Sequence, residues 1–551
     1  MWKKYFPAAE WLTRYSFKIF ASDTVSGITL AAYAIPVSLA YAMLAGLPPQ
    51  YGVYGYLLGG LFYAMLGTGR QLAIGPTAAI SLLIGTTISS LANGDVQRWA
   101  DFASLTALVF AVMSFLAYIL RMNSIINFIS ETVLLGFKAG AAIAIGLTQL
   151  PKLFGLQGGS GNFSEQIKML IHQIPETNYS ILIFGIVAIM ALIAGEKLLP
   201  GRPVAIVVLI ISIILISATS LGDVGFKTVG IMPSGLPHLH MLSFQSRDVF
   251  DVIPLAFACF LLAYIESVSA ARIMAQKNGY EIDPHQELLA LGIANIAAAL
   301  GQGYPVSGGL SQSAVNDKAG AKTPMSLVVA SAVIALCLLF LTGMLRNLPN
   351  VILASVVLVA IRGLVDLKEF NHLRKTNPED FSIALIALVG VLIFGILNGV
   401  VIAAVITLLL MIKTVSKPHV AFLGRIPGTK RYTDISRHPD NENIPGVLLF
   451  RVESKILYFN VENIRNILWS KILSSEASLK TVIWDLSSSS SVDLAGARLI
   501  RRLYQDLAAK GISFKIAEAY SGVRDTLRAE GLEHLLGHIS RKASVSDLID
   551  E

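Results

Sequence analysis

The sequence is poor in charge: only 14% of its 551 residues are Asp, Glu, Lys or Arg, whereas 54% are hydrophobic. This shortage excludes an ordinary soluble protein, in which about a quarter of the residues are charged. The formal net charge is +7, but the sequence has no tracts that interleave basic and aromatic residues, so we expect no nucleic-acid partner. We attribute the positive excess to basic cytoplasmic loops of a membrane protein.

Cysteine and enzymatic motifs are scarce as well. Cys259 and Cys337 both lie in apolar runs and have no partners at metal-ligand or disulfide spacing, which predicts buried structural thiols. The sequence lacks Walker-type spacing, a nucleophile elbow and a metal-ligand cluster, so we expect neither enzymatic activity nor a cofactor. The basic N-terminal segment, residues 1–22, lacks a cleavable apolar core and is predicted to lie at the membrane surface.

Long apolar segments dominate the rest of the chain. They follow one another from Asp23 to Ile412, and at about 20 residues per bilayer crossing they predict a polytopic α-helical membrane protein with roughly fourteen segments, several short or bent. Residues 413–446 are polar and contain proline, which predicts a linker. Residues 447–551 alternate short β patterns with amphipathic helices, as expected of a small soluble α/β domain.

The charge distribution predicts the orientation in the membrane. An even number of crossings places Arg70, Arg121 and Lys277 in inner loops, and Asp95 and Asp223 in outer loops. This arrangement follows the positive-inside rule. We therefore expect an integral protein of a bacterial inner membrane, embedded in lipid, with both termini in the cytoplasm.

Two interrupted segments occupy matching positions in the two halves of the membrane region. One is "AIGPTAAISLL" and the other is "GYPVSGGLSQSAVNDKAGAKTP". Paired interruptions of this kind indicate an inverted-repeat transporter with a central site, although glycine and proline are also common in ordinary membrane helices. In the first, a helix is predicted to begin at Pro76, and in the second, after the break at Pro305 and "SGG", a helix is predicted to restart around Leu310.

Helix N-termini at the membrane centre carry partial positive charge and unpaired N–H groups, so they are suited to bind an anion. We predict that the two interrupted segments supply the substrate-binding residues Thr77, Ala78, Ala79, Leu310, Ser311 and Gln312. Glu266, in "AYIESVSAAR", is an ionisable residue inside an apolar segment. Such a residue costs about 2.5–3.5 kcal/mol to insert and is therefore a functional candidate; the alternative is a residue near a helix end that reaches water or pairs with Arg272.

These motifs resemble one family. "AIPVSLAYAMLAGLPPQYGVYG", "IGPTAAISLL", "YIESVSAAR" and "GGLSQSAVNDKAGAKTP", followed by an α/β domain, are similar to the sulfate permease (SulP) family of anion transporters over nearly the whole chain. The resemblance implies seven-plus-seven inverted repeats, a mobile core domain that slides against a gate domain, and a substrate site between the third and tenth segments. Tyr41 matches the usual aromatic position of the family and is therefore a further expected substrate-binding residue.

The chain departs from the family at Gln312, where many members have Arg, and at Val37, where many have Gln. Two helix ends supply about +1, and an ionised Glu266 supplies −1, so the site is nearly neutral. This balance predicts that an anion binds together with a cation, either a proton on Glu266 or Na⁺ beside it. The residues predicted to serve cation coupling are Glu266, Ser269 and Thr77, with Glu266 as the Na⁺ ligand.

The C-terminal domain resembles a STAS domain, the usual cytoplasmic tail of the family and the fold of anti-anti-sigma factors. Those regulators carry a phosphorylated Ser after the Asp of a "DSSG"-like motif, whereas this chain has Leu494 after Asp493. We therefore interpret the C-terminal domain as a tail that stabilises a dimer or has a regulatory role, and we expect a homodimer.

The function expected from the sequence is secondary active transport of sulfate or bicarbonate with H⁺ or Na⁺. A chloride, bicarbonate or sulfate exchanger, or an anion channel on the same fold, is the alternative. A membrane-tethered STAS regulator is a third interpretation, but an anchor needs no broken helices.

Overall fold

The chain forms two compact units, Met1–Thr407 and Leu408–Glu551. The computed structural model describes residues 6–13, 15–92, 95–122, 131–158, 163–199, 203–218, 225–239, 244–475, 479–536 and 544–550. The predicted outer-loop residue Asp223 lies outside the described residues. Each unit is described below by itself.

The larger unit is an array of apolar helices joined by short surface helices. In the described part of the chain the array consists of α2 (Phe17–Leu44), α3 (Gln50–Leu66), α4 (Ala78–Leu91), α5 (Val96–Ile119), α6 (Glu131–Phe154), α8 (Tyr179–Leu198), α9 (Val204–Ala218), α10 (Ser246–Asn278), α11 (Pro284–Leu300), α12 (Leu310–Lys318), α13 (Met325–Phe340), α15 (Asn350–Ile361), α17 (Pro378–Phe394) and α18 (Ile396–Ser416). The surface helices are α1 (Ala8–Thr13), α7 (Phe163–Gln173), α14 (Thr342–Leu345) and α16 (Leu367–Thr376). Two short 3₁₀ turns, Ile174–Glu176 and Arg362–Leu364, and two short strands, β1 (Ile74–Gly75) and β2 (Ser307–Gly308), also belong to this unit, whereas α18 continues past Thr407 into the second unit.

Six helical segments of the described chain are long and apolar enough to cross a membrane by length and composition, and α4, α9 and α13 are shorter apolar helices. Large apolar side chains on α8 and α9 are exposed, among them Ile183 at 61% and Ile214 at 57%. A soluble protein would bury such surfaces. The prediction of a polytopic helical membrane protein is therefore confirmed.

The helices form two groups. In one group α2 packs against α3 and α13, and α11 packs against α3 and α5. The same group includes α10, which packs against α5 and α12. In the second group α6 packs against α15 and α17, and α15 packs against α8. The first group thus combines corresponding helices from both halves of the chain, as the core of an inverted-repeat transporter does.

The first membrane helix begins earlier than predicted. We placed residues 1–22 in a separate surface segment, but α2 begins at Phe17, where the Ser16 side chain accepts a hydrogen bond from the Ile19 N–H at 3.4 Å. Ser at this position satisfies a donor that the helix itself cannot. The helix also continues through Pro36 without a break.

Asp23, in the second turn of α2, is completely buried. Its carboxylate accepts hydrogen bonds from the backbone N–H groups of Lys322 and Thr323, at 2.7 and 3.1 Å. The Thr323 and Tyr15 hydroxyls donate to it as well. These donors compensate the cost of burying a carboxylate and attach the start of α2 to the loop between α12 and α13.

Gly52 allows α2 and α3 to approach closely, since a Cβ there would lie 2.1 Å from the Ser38 carbonyl oxygen. We expect Gly52→Ala to lower the free energy of unfolding by about 1–3 kcal/mol, because the backbones must separate. At Gly60, on the same helix, the nearest atom would lie 3.5 Å away. Gly60→Ala is thus the matched control; thermal unfolding in detergent should show a lower midpoint for Gly52→Ala alone, and equal midpoints would contradict this account.

The smaller unit is built around a five-stranded sheet with the strands β3 (Val420–Arg425), β4 (Tyr432–Asp434), β5 (Val447–Val452), β6 (Thr481–Asp485) and β7 (Ser513–Ala517). Their order in the sheet is β4-β3-β5-β6-β7. β5, β6 and β7 are parallel, whereas β3 is antiparallel to both β4 and β5. Its helices are α19 (Val461–Ser475), α20 (Leu494–Ala508), α21 (Ser521–Ala529), α22 (Glu533–Leu536) and α23 (Val545–Asp550).

The prediction that residues 413–446 form a linker is wrong. α18 extends to Ser416, and β3 and β4 lie within the predicted linker. Val420 pairs with Val452 and Phe422 with Phe450, so β3 covers the edge of β5. The continuous apolar run at the start of "VAFLGR" is typical of a short buried strand, but the flanking Pro and charged residues dominated the sequence-based interpretation.

Candidate functional site

Two very short strands meet within the first helix group. β1 (Ile74–Gly75) and β2 (Ser307–Gly308) are antiparallel, with Ile74 opposite Gly308 and Gly75 opposite Ser307. No side chain fits at Gly75, because a Cβ would lie 2.1 Å from the Tyr56 ring. α12 begins at Leu310, as predicted, and α4 at Ala78. α4 begins three residues after β1 ends and α12 begins two residues after β2 ends, so the pairing of the strands holds the two helix N-termini beside each other.

The helix α4 begins two residues later than the predicted start at Pro76. Thr77 occupies the N-cap position in an extended conformation, with φ −123° and ψ 155°. Its carbonyl accepts the first intrahelical hydrogen bond, from the Ser81 N–H at 2.9 Å. The Pro76 carbonyl is already engaged, since the Gln312 amide donates to it at 2.8 Å.

The two helix ends differ in accessibility. Ala78 and Ala79 are 7% and 4% exposed, whereas Leu310 is 49% exposed and Ser311 is also exposed. Gln312 is buried, and its amide oxygen has no hydrogen-bond partner among the described residues. The first turn of α12 therefore offers the open side of this candidate site.

Glu266 lies inside α10 and faces the start of α4. Its carboxylate accepts a hydrogen bond from the Thr77 hydroxyl at 3.4 Å. The Ser307 hydroxyl donates a hydrogen bond to the Thr77 hydroxyl at 3.3 Å and is also within hydrogen-bonding reach of the Glu266 carboxylate. A carboxylate and two hydroxyls thus converge on one point, and hard oxygen ligands of this kind suit Na⁺ as well as a proton.

Ser269 lies one turn beyond Glu266 and is partly exposed, but it is not among the oxygens that surround Glu266. Its neighbour Ser267 is fully buried and accepts a hydrogen bond from the Gly308 N–H at 2.7 Å. Sequence reasoning therefore selected Ser269 and missed Ser267, because spacing alone does not show which side of α10 meets β2.

Asn295 is a second residue that sequence reasoning missed. It is fully buried on α11, and its side chain accepts from the Val306 N–H at 2.9 Å and donates to the Val306 carbonyl at 3.1 Å. These two bonds satisfy the backbone just before β2, where no regular structure can do so. A polar amide in the apolar run "GIANIAAAL" was the available signal.

Lys138 is the third missed residue. It lies on α6, in the second helix group. Its ammonium is within electrostatic range of the Glu266 carboxylate, but Lys138 forms no ion pair within 4 Å with any residue that the structure describes. An ionisable residue in the apolar run "LLGFKAGAAIAIG" is a functional candidate by the same rule that selected Glu266.

Two aromatic hydroxyls border the site. Tyr41, on α2, is 7% exposed and lies within electrostatic range of Glu266 and Tyr304. The Tyr304 hydroxyl is 2.9 Å from that of Ser81, on the first turns of α4. Tyr41 therefore borders the site, and its role in substrate binding stays a prediction.

Comparison with known proteins agrees with this architecture. The sulfate permease family model matches residues 20–387, and the STAS domain model matches residues 438–545. A chloroplastic protein of Arabidopsis thaliana named sulfate transporter 4.1 is 31% identical over 557 residues, which cover 97% of this chain and 80% of that protein. A probable sulfate transporter of Mycobacterium tuberculosis (strain CDC 1551 / Oshkosh) is 28% identical, with 96% and 95% covered.

Solved structures share the fold. The inward-facing murine Slc26a9 anion transporter has a TM-score of 0.88 at 22% identity, covering 96% of this chain and 90% of that one. The transmembrane domain of the cyanobacterial bicarbonate transporter BicA has a TM-score of 0.63 at 22% identity, covering 71% and 98%. At these identities the likeness concerns the fold alone.

Proposed function

Because this chain belongs to the sulfate permease family, we propose that it is a secondary active transporter of a small inorganic oxyanion, driven by H⁺ or Na⁺. Sulfate is the first candidate, since the curated relatives are named sulfate transporters. Bicarbonate is the second, because a structural neighbour is named a bicarbonate transporter. The protein acts in the membrane as a homodimer with both termini in the cytoplasm.

The observation that carries this proposal is the pairing of β1 with β2, which brings two helix N-termini together beside Glu266. The two ends supply about +1 and backbone donors for an oxyanion. Gln312 adds a hydrogen bond to Pro76 but no charge. An ionised Glu266 cancels the helix ends, so a co-bound cation restores the attraction for the anion.

Alternating access is of the elevator type. The helices α2–α5 and α10–α13 carry the site and move against the group that contains α6. Glu266, on α10, belongs to the group that carries the site, whereas Lys138, on α6, belongs to the other group. Because Coulomb energy falls with distance, movement between the groups changes how strongly Lys138 offsets Glu266, and thereby changes the affinity of Glu266 for a cation.

Anion exchange is the second candidate, and Lys138 favours it. A protein cation that offsets Glu266 leaves the positive helix ends free to attract an anion without a co-transported cation. The exchanger then needs an anion on the opposite side of the membrane, whereas a symporter does not.

One experiment separates these candidates. The purified chain in proteoliposomes is given sulfate, bicarbonate, chloride and a dicarboxylate, each with imposed H⁺ or Na⁺ gradients or with internal anion. Symport predicts uptake that follows one cation gradient without internal anion. Uptake that ignores both gradients and requires internal anion rejects symport in favour of exchange, and no uptake of any anion rejects transport of these substrates.

Gln312→Arg tests the charge balance directly. The added guanidinium brings about +1 to the α12 end, so we expect the KM for the transported anion to fall about threefold or more and the dependence on the driving cation to weaken. Gln312→Leu removes the bond to Pro76 without adding charge and is the control. If both variants change the KM equally, the hydrogen bond rather than the charge governs affinity.

A further inference from the structure

A recess of about 690 Å³ opens at the C-terminal end of α4, between α4 on one side and α6, α7 and α17 on the other. Its lining combines large apolar side chains, among them Trp99 and Phe163, with hydroxyl and amide groups. These polar groups belong to Thr86, Thr87, Thr148, Gln149, Gln166 and Asn398. Among the described residues that line it, Lys152 is the only one that carries a formal charge.

Lys152 lies in the last turn of α6. It forms no ion pair with any carboxylate in the part of the chain that the structure describes. A smaller hollow of about 200 Å³ shares Thr148, Lys152 and Gln166 with the recess. The ammonium therefore borders both hollows, and no carboxylate lines either of them, so the formal charge of the described lining is positive.

The recess and the half-helix site share the helix α4. Leu82 contributes to its lining and lies four residues after Ala78, about 6 Å along α4. Lys138 precedes Lys152 by fourteen residues on the same helix, which is close to four complete turns and about 21 Å. The two lysines consequently lie near one face of α6, one at the recess and the other in electrostatic range of Glu266.

We propose that this recess is a second anion-binding site, a loading site that collects the oxyanion before it reaches the N-terminus of α4. Lys152 supplies the attractive charge, and the surrounding hydroxyl and amide groups replace part of the hydration shell of the anion. A cleft with charge of one sign raises the local concentration of oppositely charged ligands. The inference rests on the proposed transport of an oxyanion and assigns a position and a residue to its capture.

The test replaces the charge and then restores it chemically. In proteoliposomes, Lys152→Cys is expected to raise the KM for sulfate about threefold to tenfold, with the maximal rate little changed. Labelling with a membrane-impermeant methanethiosulfonate that carries an ammonium group should return the KM toward the wild-type value. The sulfonate analogue of the same reagent should raise it further. Wild-type protein treated identically controls for the native thiols, which are buried.

Lys168→Cys is the matched control, because Lys168 is exposed on the adjacent helix α7 and does not line the recess. Equal responses of both variants to the two reagents would overturn the loading site. Should Lys152→Cys fold poorly, Lys152→Arg and Lys152→Gln repeat the comparison without labelling, and an equal KM for these two variants also overturns it. If wild-type protein takes up no oxyanion, the proposed function fails, which is distinguishable from failure of the loading site alone.

Discussion

Glu266→Gln is expected to lower cation-driven net uptake about tenfold or more while leaving anion exchange in place. The amide keeps the size of the side chain and its contact with Thr77, but it neither takes up a proton nor offers a negative oxygen to Na⁺. The site then holds the positive helix ends without the compensating carboxylate, and the anion binds without a cation.

The measurement compares uptake driven by an H⁺ or Na⁺ gradient with exchange against internal anion in the same vesicles. Glu369 is an exposed glutamate on α16, so Glu369→Gln is the control for the loss of one carboxylate. Gradient-driven uptake that survives Glu266→Gln would falsify the coupling role. Loss of both net uptake and exchange would instead make Glu266 a residue needed for anion binding itself.

Glu287→Ala is expected to lower the free energy of unfolding by about 3 kcal/mol or more. Glu287 is fully buried at the start of α11, where its carboxylate accepts from the Tyr63 hydroxyl and the Thr68 N–H, both at 2.8 Å. The Thr68 hydroxyl and the Gly69 N–H also donate to it. Alanine leaves these donors without a partner in a buried place, and each such loss costs about 1–3 kcal/mol.

Thermal unfolding in detergent, followed by size-exclusion chromatography, measures this effect. Glu281→Ala removes an exposed glutamate from the preceding loop and should leave the unfolding midpoint nearly unchanged. Glu287→Gln keeps the shape of the side chain but turns one acceptor into a donor that faces other donors. Its unfolding midpoint should therefore lie between those of Glu287→Ala and Glu281→Ala. Equal midpoints for Glu287→Ala and Glu281→Ala would show that the buried network contributes nothing to stability.

The candidate site shows where sequence reasoning succeeds and where it stops. The start of α12 at Leu310 was predictable because Gly and Pro interrupt an apolar run locally. The choice between Ser267 and Ser269 was not, because both stand on α10 and only the packing of β2 selects Ser267. Lys138 was visible as an ionisable residue in an apolar segment, but its relation to Glu266 requires α6 to pass near α10.

The apolar runs by themselves determined that the chain is a helical membrane protein, because each run commits its own backbone to internal hydrogen bonds in a medium without water. Composition and motif order also determined the family and the presence of a small α/β tail. These signals are local, because the residues of each helix or strand themselves contain the pattern that predicts it. Even so, the strand in "VAFLGR" was assigned to a linker, because its pairing with β5 is a long-range contact.

Only the tertiary structure decided which groups share the site. The Thr77 hydroxyl and the Glu266 carboxylate are 189 residues apart in the chain, and Ser307 and Thr77 are 230 apart. Their meeting depends on the antiparallel pairing of two strands of only two residues each. Such short strands have almost no propensity of their own, so the packing of the surrounding helices, rather than any local pattern, brings the two helix ends together.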